Sequence, residues 1–418
     1  MNETDVKIEV TPVVACRSCS APDLMTFLDL GQTPIANSLL TEADLQREEP
    51  RFPLQVGFCS SCSLVQLMYE LPATAIFGPD YPYFSSFSDA LSQHAKEHAL
   101  DLITSRGLGA QSLVVEVASN DGYLLRNFVE AGVPVIGIEP TPGPAAAARA
   151  LGVPTRESFF TAQMAEDMRR EGLRADVIIA NNVMAHVPDL NGFVEGFRTI
   201  LSDDGIITIE NAYVRDLVDG GEFDTVYHEH FSYFSCTAVD RLMRRHGLYL
   251  NDVDYFPELH GGTLRWHVGA REAPTARLTS YLDDEEARGM LAFDYYASFG
   301  ERAHATRAAL VELLRSLRAE GRRIAAYGAA AKGATLLNSS GIGRSLVDYV
   351  VDRNTHKQGR WMPGARLPIL DPAALLERSP DYLLLLAWNF KDEIVEQQAE
   401  FRRRGGRFIV PVPTPEVL

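Results

Sequence analysis

Four of the five cysteines stand in two pairs of identical spacing, Cys16-Arg-Ser-Cys19 and Cys59-Ser-Ser-Cys62, and no other feature constrains the start of this chain so tightly. Each CxxC turn points both of its sulfurs the same way, so two such turns offer four thiolates to one tetrahedral zinc. A redox pair, or reduced and half-buried structural thiols, is the alternative. The intervening stretch runs through Gly31, Pro34 and Asn37 and is too polar and turn-rich for a sizeable core. A short module of this kind needs a metal to fold. With all four ligand positions filled by protein, the zinc is expected to be structural.

At 418 residues the chain has room for about two to four cores. Its hydrophobic share of 46% and charged share of 23% exclude a disordered chain. Lys+Arg of 39 against Asp+Glu of 56 gives a net charge of −17, the wrong sign for neutralising a phosphate backbone, so polymeric nucleic acid is not an expected partner. No apolar run approaches the roughly 20 residues that cross a bilayer, and no membrane is expected as a partner. The most apolar run, YLLLLAWNF at 382–390, reads as a buried strand. MNETDVKIEV at the start shows no basic segment followed by an apolar one, so a cytoplasmic location is expected.

From about residue 113 apolar runs alternate with helical stretches. Segments 113–117, 134–139, 175–180 and 205–210 read as strands of a doubly wound α/β sheet. The first crossover carries Glu116, Ser119, Asn120, Asp121 and Gly122, and the second strand ends in Glu139, a position suited to gripping ribose hydroxyls. A dinucleotide loop wants GxGxxG so that a pyrophosphate can approach the helix N-terminus; here Gly122 is the loop's one glycine, and NAD is disfavoured. A carboxylate at Glu116 suits a cationic ligand without phosphates, such as S-adenosylmethionine. Ala118 and Asn120 stand where the general methyltransferase pattern expects glycines, so the loop by itself leaves the choice open.

The two CxxC pairs, the loop EVASNDGYLL (116–125), the strand exit NNVMAHVPD (181–189) and the block YHEHFSYF (227–234) together resemble the nucleotide-sugar C-methyltransferases of branched deoxysugar biosynthesis in antibiotic-producing bacteria. The resemblance runs through nearly the whole chain in the right order. It implies an α/β protein of three parts, which we place at 1–75 (zinc binding), 76–275 (a class I, Rossmann-like methyltransferase sheet binding S-adenosylmethionine, with Asn181 also at the cofactor) and 276–418 (a second Rossmann-like domain holding the nucleotide-sugar). It further implies methylation of a ring carbon beside the keto group of a dTDP-linked deoxysugar, carbon 3 before carbon 5. Forming a carbon nucleophile there requires a base for the ring proton and a donor for the enolate oxygen. The resemblance maps functional positions onto Tyr227, Glu229, His230 and His186, with a further tyrosine, Tyr81 or Tyr83; Glu229 is expected to orient the Tyr227–His230 pair, and Tyr81 or His186 to hydrogen-bond the enolate oxygen. His230 is the expected base because its intrinsic pKa is the better one; Tyr227 comes second. Tyr81 is preferred for catalysis, Tyr83 and His260 for substrate contact. A metal at YHEH is disfavoured because HExxH spacing is missing.

Segment 277–320 reads as a solvated helix pair without chemistry. Residues 322–328 read as a strand leading into Gly328-Ala-Ala-Ala-Lys332-Gly333, a GxGxxG with alanine in second place, and Asp352 closes the next strand. The missing glycine crowds a pyrophosphate, and the family resemblance gives this unit the nucleotide-sugar, with Lys332, Asn338, Lys357, Trp388 and Asn389 as candidate contacts. An NAD-dependent sugar oxidoreductase using 328–352, and a zinc-bearing RNA-binding protein, are the rival functions. A monomer is expected.

Overall fold

The two cysteine turns fold alike. In each, the amide of the residue after the second cysteine returns to the carbonyl of the first, Ser20 to Cys16 and Ser63 to Cys59, both at 2.9 Å. Each serine takes a left-handed backbone, φ 61° and 62°. Strands Leu24–Thr33, Phe52–Cys59 and Val65–Leu67 form an antiparallel meander behind these turns. Its fourth strand comes from far along the chain, since Ser232–Tyr233, directly after the YHEH block, pairs with Val65–Leu67. The computed structural model describes residues 8–76, 84–259 and 261–418. Tyr81, Tyr83 and His260 lie outside these.

The central sheet has seven strands in the order Tyr249–Phe256, Thr263–Gly269, Leu201–Ala212, Ala175–Asn181, Val114–Val117, Val135–Ile138 and Thr155–Arg156. The last five are parallel; the first two form an antiparallel hairpin on the outer edge. This is the expected α/β sheet. Successive residues face opposite layers, as strand geometry requires. Val114, Val177 and Ile179 meet Leu91, Ala95, Ala99 and Leu102 of helix Asp89–Arg106, while Val115, Ile178 and Ala180 join a core with Phe193 and Phe197 of helix Leu190–Ile200.

The C-terminal sheet orders Ile369–Leu370, Val350–Val351, Ile324–Tyr327, Tyr382–Leu385, Arg407–Val410 and Glu416–Val417, with the last strand antiparallel. The expected strand over 382–390 stops at Leu385. Gly328 leaves room for Ala387 to turn toward it, a Cβ there falling 2.8 Å from the Ala387 Cβ, and Trp388–Phe390 then coils into a short 3-10 turn. The 277–320 stretch is a helix pair, Ala276–Ala287 and Phe293–Ala319, broken at Gly289, where φ is 77°. Its second member is less solvated than expected, because it lies across the N-terminal sheet. Tyr296 stacks on Phe58 at 4.8 Å, and Gly300 approaches the Phe27 carbonyl so closely that a Cβ would fall 2.3 Å from the oxygen. Among the described residues no helix is long and apolar enough to cross a membrane.

Candidate active site and metal centre

The four thiols converge. All four sulfurs lie within 4.8 Å of one another, Cys16 to Cys62 at 3.5 Å and Cys19 to Cys59 at 3.6 Å. Sulfurs about 2.3 Å from a tetrahedral zinc stand roughly 3.8 Å apart, so the donor set fits zinc with little adjustment. Burial pushes the Cys59 thiol up to about 11, and a divalent cation would hold it as thiolate. The turns are tied to the central unit: Asn191 donates to the Arg17 and Ser18 carbonyls, Arg245 reaches the Ser18 hydroxyl, and Arg241 donates to the Ser63 hydroxyl.

At the end of strand Val114–Val117 the loop makes the turn that glycines usually make. Ala118 (φ 57°) and Asn120 (φ 49°) both adopt left-handed backbone, as does Gly122 (φ 78°). The deviation from the glycine pattern is therefore one of composition and not of shape, and asparagine is among the residues that tolerate this region best. Gly122 is needed for space as well, since a Cβ would press on Val153 and Ala148 at 3.1–3.3 Å. Glu139 fixes the loop by accepting from the Asn120 amide at 3.0 Å and from the Thr141 amide at 2.8 Å. The segment before helix Asp89–Arg106 closes over it: the Ser85 amide donates to the Asn120 side chain, and the Ser86 amide to Asp121.

What the loop leaves unpaired describes the ligand. Glu116 Oε2, Ser119 Oγ, Asp121 Oδ1 and Asn181 Oδ1 are buried with no hydrogen-bond partner among the described residues. Three of the four can only accept, so they call for donors or positive charge. Burial, together with Asp121, Glu139 and Glu210 nearby, raises Glu116 well above the ordinary carboxylate range, which a cationic ligand would relieve. S-adenosylmethionine, with its sulfonium, ammonium and ribose hydroxyls, fits this set.

His186 and the YHEH block meet beside this edge. The Phe231 amide bonds to the Ala185 carbonyl at 2.7 Å, and the ring centroids of His186 and His230 come to 4.8 Å. Tyr227 Oη lies 2.8 Å from His230 Nε2, while His230 Nδ1 lies 3.2 Å from the Thr225 carbonyl. A carbonyl can only accept, so Nδ1 carries the proton, and in the neutral ring Nε2 accepts from the Tyr227 hydroxyl. His186 Nδ1 likewise donates to the Glu229 carbonyl at 2.7 Å, and burial keeps that ring neutral, down to about 4. His228 points elsewhere, against Phe52 and the Pro53 carbonyl of the N-terminal sheet. Burial raises Glu229 to about 7. One of its oxygens accepts from Asn37 at 2.6 Å; the other is buried with no partner among the described residues.

The C-terminal candidates divide. Lys332 Nζ is buried without a hydrogen-bond partner among the described residues and sits 4.4 Å from the Trp388 ring centroid. Trp388 Nε1 donates to Asp224 at 2.7 Å, next to Thr225 and hence to His230. Asn389 keeps a buried Oδ1 without a partner there. Lys357 bonds the Ala329 carbonyl at 2.9 Å, and its charge acts on Glu229. Asn338 is occupied by the Ala334 and Pro363 carbonyls, and a Cβ on Gly364 would clash with it, so it shapes a turn. Asp352 accepts from the Ala329 and Asn354 amides, the device Glu139 uses in the central unit.

Sequence reasoning missed Asn37, Glu222 and Asp224. Glu222 is raised to about 8 by burial, against the pull of Lys332. Both acids stand just ahead of YHEH in GGEFDTVYHEH, a visible signal; nothing in the sequence joins residue 37 to residue 229.

Three family descriptions match consecutive parts of the chain: a domain described as zinc binding over residues 16–77, a methyltransferase domain over 92–253, and a C-methyltransferase C-terminal domain over 258–413. The chain is 36% identical to the C-methyltransferase NovU of Streptomyces niveus over 414 residues, 98% of each chain. Among solved structures it is similar to magnesium protoporphyrin IX methyltransferase (ChlM) from Synechocystis PCC 6803 with bound SAM, at TM-score 0.34 and 13% identity over 42% of this chain and 78% of that one. A SAM-dependent methyltransferase from Thermotoga maritima gives TM-score 0.33 and 18% identity over 43% and 91%.

Proposed function

Because the chain belongs to the C-methyltransferase family that includes NovU and is an S-adenosylmethionine-dependent enzyme with a zinc-binding N-terminal region, we propose that its acceptor is the ring carbon beside the keto group of a dTDP-linked deoxysugar, carbon 3 before carbon 5. The observation that carries this reading is the Tyr227–His230 pair beside His186, an imidazole and a phenol in hydrogen-bond contact at 2.8 Å. Such a pair suits proton abstraction next to a carbonyl. The rival oxidoreductase and RNA-binding readings give way to the family. We assign the division of labour as 1–75 for zinc, 76–275 for the cofactor and 276–418 for the nucleotide-sugar, in a monomer working in the cytoplasm, where thiols stay reduced and free to bind metal.

In this reading the Tyr227 hydroxyl turns from His230 Nε2 to the acceptor's carbonyl oxygen as the sugar binds, the lone pair it leaves takes the ring proton, and the electron pair of the C–H bond passes into an enolate. Thr225 holds the opposite nitrogen and so fixes the tautomer. A neutral His186 has already given its one N–H to the Glu229 carbonyl, so a tyrosine is the better donor to the enolate oxygen: Tyr227, or Tyr81. When bound, S-adenosylmethionine supplies the electrophilic methyl group that the carbon attacks in line. Glu116, Ser119, Asp121, Gly122, Glu139 and Asn181 hold the cofactor, and Lys332, Lys357, Trp388 and Asn389 the nucleotide end of the acceptor.

The test follows exchange of the acceptor's ring hydrogen with deuterated water alongside methyl transfer. His230→Asn is expected to lose both by about 10²–10⁴-fold. If it keeps near wild-type exchange while Tyr227→Phe loses it, the tyrosine is the base. If neither variant changes exchange, the proposed site is wrong.

A further inference from the structure

We infer that Asn37 is a positioning residue for methyl transfer, the side chain through which the N-terminal zinc-binding region holds Glu229 at the acceptor. The inference rests on the reading above, which puts Tyr227 and His230, the chain neighbours of Glu229, at the reacting sugar. Three observations support it. The Asn37 amide donates to Glu229 Oε2 at 2.6 Å, across 192 positions of sequence. The turn that presents Asn37 is pinned on both sides: Thr33 is paired with Phe52 in the N-terminal sheet, and Leu40 exchanges both main-chain bonds with Trp361 of the C-terminal unit at 2.9 Å each. Glu229 Oε1 remains buried without a partner among the described residues, so it is the oxygen left to accept from a hydroxyl or ammonium group of the bound sugar.

A neutral amide is a pointed choice for this position. It donates without adding charge, and a donor on a buried carboxylate favours the ionised form. The groups acting on the Glu229 carboxylate are Asn37 from the N-terminal turn and Lys357 from the C-terminal unit, while His186 from the strand exit bonds its main-chain carbonyl; among the described residues Lys357 is the charge that acts on it. Burial raises Glu229 to about 7, and the Asn37 side-chain bond is the largest pull toward the ionised form, ahead of the Asn37 main-chain amide and Lys357. Loss of that bond moves the value upward, so the protonated fraction grows and the oriented acceptor is lost.

The experiment measures kcat against pH for the full-length zinc-loaded enzyme with its dTDP-keto-sugar, in Asn37→Ala, Asn37→Asp, Glu229→Gln and the Asn37→Ala/Glu229→Gln double variant. Zinc content and S-adenosylmethionine affinity are measured in parallel. Asn37→Ala is expected to lower kcat at pH 7 by roughly 10–100-fold, to move the acidic limb to higher pH, and to leave zinc content and cofactor affinity unchanged. Asn37→Asp keeps the shape but sets a second carboxylate against Glu229, and should move the limb further in the same direction. In the Glu229→Gln background Asn37→Ala should change neither rate nor limb. Wild-type kcat and limb in Asn37→Ala, or in Asn37→Asp should the alanine variant fail to fold, overturn the inference. Full activity in Glu229→Gln overturns the placement of Glu229 itself.

Discussion

Glu210 lies 1% exposed beneath the cofactor edge, yet its carboxylate is fully answered: Arg265 donates Nε at 2.6 Å and His94 lies at 3.0 Å, with Phe256 packed against both side chains. Burial works against its charge, but the His94 bond and the Arg265 guanidinium win and hold it down to about 2. Glu210→Ala strands the Arg265 cation in the same low-dielectric site, and we expect a loss of about 3–5 kcal/mol by urea unfolding. The pH dependence has a definite sign. A carboxylate lower in the folded state contributes fully above its unfolded value, and this contribution fades as pH falls from about 4.5 toward 2. Acid unfolding of the variant should therefore be flatter over that window, and an unchanged curve would count against the pair. Neither partner declares itself in the sequence, because Glu210 and Arg265 sit in separate strands and meet only by register. The loop residues Ala118 and Asn120 show the opposite limit: their identities suggested a poor cofactor turn, and their backbone makes it anyway.

At the level of elements, four strands of the central sheet were legible because their apolar runs are long and evenly punctuated, and the zinc turns because CxxC needs no partner to be recognised; Thr155–Arg156 and the edge hairpin Tyr249–Phe256 and Thr263–Gly269 were not read. Nor was the short strand Ser232–Tyr233, since two residues carry no periodicity and its partner stands far back in the chain. The apolar run at 382–390 misled in the other direction, for hydrophobicity cannot tell a strand from the turn that delivers Trp388 to Asp224. These connections make the metal an indirect support of the chemistry. Cys59→Ser should lose zinc by elemental analysis and methyl transfer by at least about 10²-fold, while S-adenosylmethionine affinity changes little, because the cofactor loop stands on the other sheet. Normal turnover in zinc-free protein would show that the N-terminal sheet holds without its metal.

Across the whole molecule, the site draws on all three regions: Asn37 from the first, the YHEH block and its cofactor loop from the second, Lys332, Lys357 and Trp388 from the third. The block was readable because its groups are neighbours in sequence; its supports were not, because folding alone brings them there. Lys332 Nζ is buried without a hydrogen-bond partner among the described residues, with Glu222 and Asp224 near enough to feel its charge, and a phosphate oxygen of the nucleotide would supply the missing bond. Lys332→Met should therefore raise KM for the nucleotide-sugar about tenfold or more without altering cofactor affinity; an unchanged KM would move the nucleotide elsewhere. The borrowed strand also bears on how the chain is made. A ribosome releases the first three strands of the N-terminal sheet long before Ser232 and Tyr233, so the Val65–Leu67 edge emerges with its amides and carbonyls open. During that interval the nascent chain is a template for other strands, and its metal turns have yet to meet Arg241 and Arg245. The newborn protein is thus most exposed to mispairing until its middle third has been translated.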